Sequence, residues 1–143
     1  VYGTVPVPQK KRSMPYRRIT PRDMWVDDPA SPLYNQHFVL KHDPVTPWEF
    51  KQQMKLNDYA HSLKLFIRHN AASGREKPVP GAGSSIFFHI WRRDGGAPTA
   101  GCTAMSEENL RAMIAWLDPS RHPLYILLPA KEYLRLRGAW GLP

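Results

Sequence analysis

SSIFFHIWRRDGGAPTAGCTAMS, residues 84–106, holds the only cysteine of a 143-residue chain. Ser85–Trp91 is an apolar, aromatic-rich run of strand character, interrupted by His89. Asp94-Gly95-Gly96 and Pro98 signal a loop that reverses the chain before Thr99-Ala100-Gly101-Cys102. An imidazole on a strand and a thiol just behind a glycine suit a base and its nucleophile. The thiolate is the reactive species, and a neighbouring imidazolium stabilises it. Gly101 lets the backbone come close to another group, as a pocket of N–H donors for an oxyanion requires. The bland alternative is a small buried cysteine and a satisfied strand histidine, the commoner fate of each residue type.

Four residues of this segment resemble the catalytic signature of the YkuD-type L,D-transpeptidases: His89 on its strand, then Thr99, Gly101 and Cys102. The glycine-rich approach Gly81-Ala82-Gly83-Ser84-Ser85 is similar to the one before the family's histidine, and the likeness runs from about Leu63 to Pro129. Tyr34-Asn35 resembles a motif of a compact proteobacterial branch of the family. Two departures stand out. Ala100 occupies the position of a second histidine in most members, and the spacing from His89 to Cys102 is shorter than usual.

The resemblance implies a mainly β fold, a compact β-sandwich or barrel-like catalytic domain with two or three flanking helices. It also implies a cysteine acyltransferase acting on peptidoglycan stem peptides in the periplasm or cell envelope, without cofactor or metal. Cys102 attacks a stem-peptide carbonyl, and His89 takes the thiol proton. The Ile90 carbonyl orients the imidazole, and the N–H groups of Gly101 and Cys102 face the oxyanion. Tyr34, Asn35, Trp91, Arg92, Thr99 and Ala100 border the substrate, with Arg92 or Arg93 pairing with a carboxylate. An acceptor amine then resolves the thioester into a cross-link, whereas water makes the protein a carboxypeptidase. A non-catalytic module that binds peptidoglycan or nucleic acid is the competing class.

Composition bounds these readings. The length suits one domain with a real core, and hydrophobic residues make up 42%. Proline, at 15 residues, is about twice its usual share and disfavours long helices. A formal charge of +8 draws the chain toward polyanions without choosing among them. No RNA-stacking motif is present, which favours peptidoglycan over nucleic acid as partner. One cysteine rules out an internal disulfide and a cysteine-based zinc cluster. No apolar run reaches the roughly 18 residues of a membrane span, and no signal-peptide pattern opens the sequence. A monomer without stable membrane insertion is expected.

Along the chain, residues 1–22 read as a proline-rich arm with the basic run Lys10-Lys11-Arg12 and Arg17-Arg18, ahead of a single domain over 23–143. Residues 23–35 read as a loop carrying Trp25 and Tyr34. A short strand is expected at Gln36–Leu40. Thr46-Pro47-Trp48-Glu49 has the form of a capping box opening a helix over Pro47–His61, with Phe50 and Met54 inward. Leu63–His69 alternates as a half-buried strand. Residues 71–83 read as a loop whose glycines lack the spacing of a phosphate cradle. Ser106 caps a helix with the stripe Leu110, Met113, Ile114 and Leu117, stopped by Asp118-Pro119. A buried strand over Leu124–Leu128, a basic helical turn over Lys131–Arg137 ended by Gly138, and a docked Trp140 complete the expectation.

Overall fold

Side-chain alternation on two adjacent strands sets how the layers stack. A computed structural model describes residues 1–9 and 12–143; Lys10 and Lys11, part of the expected basic run, lie outside the described residues. In chain order the elements are β1 (Tyr2–Gly3), β2 (Arg17–Arg18), β3 (Asp23–Trp25), β4 (His37–Val39), α1 (Pro47–Gln52), β5 (Leu63–Phe66), β6 (Phe87–Ile90), β7 (Thr103–Met105), α2 (Glu107–Trp116) and α3 (Ala130–Trp140). Five strands form one mixed sheet in the order β2-β1-β5-β6-β7, and β3 pairs with β4 in a second, small antiparallel sheet. Both ends of the larger sheet are open, so the fold is sheet-rich with three helices and is not the closed barrel that the barrel-like expectation allowed.

Leu63 and Leu65 of β5, with Phe88 and Ile90 of β6, face one side of the sheet and form a core with Leu110 and Ile114 of α2. Both α2 residues are fully buried. Burial of each such side chain contributes about 2 kcal/mol, so packing of this stripe, rather than helix propensity, holds a 10-residue helix in place. Phe66 and Phe87 face the other side and pack with Trp25, whose ring lies 4.3 and 4.9 Å from theirs. The small sheet therefore covers the second face. One consequence is that the expected half-buried character of β5 fails at Lys64, which is only 4% exposed because its face is roofed as well.

Tyr2–Gly3 and Arg17–Arg18, within the expected N-terminal arm, are strands of the larger sheet. Tyr2 pairs with Lys64 and Gly3 with Leu63, while Val1, Val7 and Ile19 are buried. The proposed loop 23–35 likewise contains β3. Its Asp23 is fully buried, where it accepts from Arg17, from Thr20 Oγ1 (2.7 Å) and from His37 Nε2 (2.8 Å). A buried carboxylate persists only when it is paired and hydrogen-bonded in this way.

The helical expectations are met at their starts and corrected at their ends. Thr46 and Glu49 form the full capping box, yet α1 stops at Gln52 rather than His61. Gln53 bridges to Met24, and Met54 N donates to Asp23 O (2.9 Å), so backbone pairing with β3 takes the chain out of the helix. Phe50 is consequently exposed, while Met54 is buried outside the helix. Ser106 caps α2 as expected. Leu124–Leu128 is not a strand, and Leu124 is 89% exposed. The segment docks through Tyr125, whose ring meets Phe88 edge-on and whose hydroxyl lies 2.7 Å from Thr103 Oγ1. Its remaining apolar side chains line a cavity of about 510 Å³ with Tyr133, Leu142 and Pro143. The last helix runs through Gly138 and ends at Gly141, with a left-handed φ of 62°, leaving Trp140 exposed rather than docked.

Candidate active site

Cys102 directly precedes β7, which runs parallel to β6 with Phe88 opposite Thr103 and His89 opposite Ala104. Paired positions in a parallel ladder share a face, and alternation puts Phe87 and His89 on the same one. Cys102 packs against the cluster containing Phe87, which places the thiol and the imidazole on one side of the sheet. A two-residue step along one strand and one strand across corresponds to about 8 Å between their Cα atoms.

His89 is 3% exposed, and its Nδ1 lies 2.7 Å from the carbonyl of Ile90. A carbonyl only accepts, so Nδ1 carries a proton, and in the neutral ring the lone pair is on Nε2. The only sealed side-chain polar atom without a partner among the described residues is Ser62 Oγ, so Nε2 is unbonded without being sealed off. The thiol of Cys102 is half-buried and donates to Ser85 O at 3.4 Å rather than to His89.

A cleft of about 210 Å³ opens over this face, lined among others by Trp25, Gln52, His61, Lys64, Ser85 and Cys102. The larger cavity at the C-terminus is lined by neither the thiol nor an imidazole, whereas the smaller one is lined by Cys102 and His61. Lys64 sits opposite His89 in the β5–β6 ladder and donates through Nζ to Met54 O at 2.7 Å. Burial lowers its pKa to about 8, against the opposing influence of Cys102 and Asp58. Among the described residues no three His, Cys, Asp or Glu side chains are grouped to hold a metal ion.

The loop before the thiol is braced from within. Thr99 Oγ1 donates to Cys102 O (2.6 Å) and accepts a longer bond from Gly101 N (3.4 Å). Gly101 has φ +136°, and an added Cβ would lie 3.1 Å from Ile86 Cδ1, so glycine is demanded on two counts. Ala100 is exposed on this loop and is absent from the cleft lining.

Four expected substrate contacts are occupied elsewhere. Tyr34 is buried, and Asn35 spends its amide inside the protein on Trp25, His69, Asn70 and Ser85. Trp91 packs against the α2-side core. Arg92 donates to Asp58 Oδ2 (2.8 Å) instead of standing free for a carboxylate.

Sequence reading missed Lys64, Asp58, His61 and Ser85. Lysine between two leucines on an alternating strand reads as the solvent-facing residue, and only the roofed second face makes it otherwise. Asp58 and His61 are three residues apart, and His61 N donates to Asp58 Oδ1 (2.9 Å).

The sheet is open and mixed, with a histidine on β6 and a cysteine directly before the parallel strand β7 on the same face. A family model described as YkuD, the L,D-transpeptidase catalytic domain, matches residues 3–126, and the chain belongs to that family. The family is enzymatic and acts on peptidoglycan in the cell envelope. No curated protein and no solved structure matches the chain. No helix among the described residues is long and apolar enough to cross a membrane.

Proposed function

We propose that this protein is a periplasmic L,D-transpeptidase that joins peptidoglycan stem peptides through a thioester on Cys102. The observation that supports the reading is a half-buried thiol in the cleft lining, on the same face of the sheet as an imidazole whose Nδ1 is anchored on Ile90 O and which lies outside that lining.

On substrate entry the thiol proton leaves Ser85 O for His89 Nε2. Catalytic hydrogen bonds of this kind commonly tighten only in the complex. Sγ attacks the carbonyl carbon of the third stem residue, and the N–H groups of Gly101 and Cys102 take the developing oxyanion. The 3.4 Å bond from Gly101 N to Thr99 is long enough to yield to a charged acceptor. The C–N bond breaks, and the departing D-amino acid leaves with the proton from His89. An acceptor amine then attacks the thioester, forming the cross-link and releasing Cys102.

Incubation with a disaccharide-tetrapeptide tests this by mass spectrometry, which is expected to show a cross-linked dimer and an acyl adduct at Cys102. Cys102→Ala is expected to give neither, and His89→Ala to slow adduct formation on the order of 10²–10⁴-fold. Release of the D-amino acid without dimer identifies a carboxypeptidase. A folded sample giving neither product nor a carbapenem adduct overturns the enzyme reading in favour of a basic binding module.

A further inference from the structure

A carboxylate–imidazole pair outside the thiol motif opens onto the same cleft. His61 lines it together with Cys102, and the His61 ring stacks on that of His89 at 4.7 Å with an interplanar angle of 29°. Both oxygens of Asp58 lie on His61 Nδ1, at 2.7 and 2.9 Å. Arg92 Nη2 also lies 3.3 Å from Nδ1, but the two shorter contacts are to a carboxylate that cannot donate, so Nδ1 holds the proton and Nε2 keeps its lone pair, unbonded among the described residues but not sealed. Arg92 Nη2 (2.8 Å) and the His61 backbone N–H (2.9 Å) fix the same carboxylate.

The electrostatics agree with this geometry. Burial alone would raise Asp58, but bonds from Arg92 and His61 hold it at about 2, so it stays ionised. Burial lowers His61, with the charges of His89 and Lys64 acting in the same direction and Asp58 opposing. A neutral imidazole oriented by an ionised carboxylate is the arrangement of a general base.

The proposed reaction has two half-reactions, each with its own proton transfers, and His89 serves the first. We propose that Asp58–His61 is a second base, dedicated to the acceptor. As the acceptor amine nitrogen bonds the thioester carbonyl carbon it becomes cationic, and it loses a proton to His61 Nε2. The C–S bond breaks, Cys102 leaves as thiolate, and the proton on His61 returns to the sulfur by way of solvent. This rests on the transpeptidase reading above. It assigns His61 to the half-reaction that selects amine over water.

The test separates the two half-reactions on the intact protein. Mass spectrometry follows acyl-adduct formation at Cys102 from a tetrapeptide donor, then decay of the isolated adduct on adding a diamino-acid acceptor. His61→Gln is expected to slow aminolysis on the order of 10²-fold, at least tenfold more than it slows acylation. His61→Phe, which keeps the stacked ring without a base, is expected to show the same split. Asp58→Asn is expected to follow with a smaller loss through the wrong tautomer. Equal loss in both half-reactions, or no loss of aminolysis, overturns the second base while leaving the thioester reading intact. Absence of any adduct on the folded wild type sinks both.

Discussion

The side-chain amide of Asn35 holds the backbone of Ser85: Oδ1 accepts from Ser85 N at 3.1 Å and from Trp25 Nε1 at 2.9 Å. Ser85 stands at φ +56°, and its carbonyl accepts the thiol proton of Cys102. Asn35 thus sets the position of the thiol from one bond further out, while its Nδ2 ties down the carbonyls of His69 and Asn70 (3.0 and 2.8 Å).

Asn35→Ala leaves several buried polar groups unpaired at once. Each costs about 1–3 kcal/mol, so the variant is expected to lose at least about 2 kcal/mol in urea unfolding. Asn35→Asp is expected to be no better, because it sets an oxygen against two carbonyls. A stability equal to wild type in both variants would show that water replaces the amide.

Gly101→Ala combines a backbone that L side chains avoid with a contact on Ile86. The expected cost is about 1–3 kcal/mol, read as a lower midpoint of thermal unfolding. Acylation of Cys102 is expected to slow by more than the stability change explains, since the residue that moves is the neighbour of the thiol.

Acid stability rests partly on Asp23. Burial would raise this carboxyl, but bonds from Arg17, Thr20 and His37 outweigh it and hold it at about 2. A carboxylate depressed on folding stabilises above its unfolded value near 3.9, and that contribution disappears as pH falls toward 2. Urea midpoints measured from pH 5 to pH 2 are therefore expected to fall steeply in wild type. In Asp23→Asn the protein is expected to be weaker at pH 5 and the fall shallower.

Lys64 is also lowered on folding, but here burial penalises the charged form, so the group costs stability at neutral pH. Its folded value near 8 lies below the ordinary lysine value, so between about pH 8 and 10.5 the unfolded chain binds more protons. Stability from this group therefore rises with pH across that window. Lys64→Met, of similar length and without charge, is expected to remove the rise and to be less penalised than wild type at pH 7. Stability curves for the two proteins that stay parallel from pH 7 to 10.5 would contradict this.

The thiol, its upstream imidazole, the Ile90 carbonyl and the caps at Thr46 and Ser106 were legible in the residues themselves. Each depends on chemistry within a few positions of chain: a glycine that permits a close approach, a hydroxyl that satisfies an orphan N–H, an alternation of period two. Where that alternation placed Leu63 and Leu65 on one face it was right about the core. It could not say what covers the opposite face.

Tertiary structure decided the rest. Whether α1 continues past Gln52 depends on a distant strand competing for the backbone of Gln53 and Met54. Whether Lys64 meets water or a cleft depends on the small sheet that carries Trp25. Asn35 turned from a supposed substrate contact into an internal brace because four partners from 10 to 50 residues away converge on it. Local pattern specifies which side chains are able to do chemistry; long-range burial determines which of them face the same cleft, because desolvation and pairing are properties of the surroundings and not of the residue.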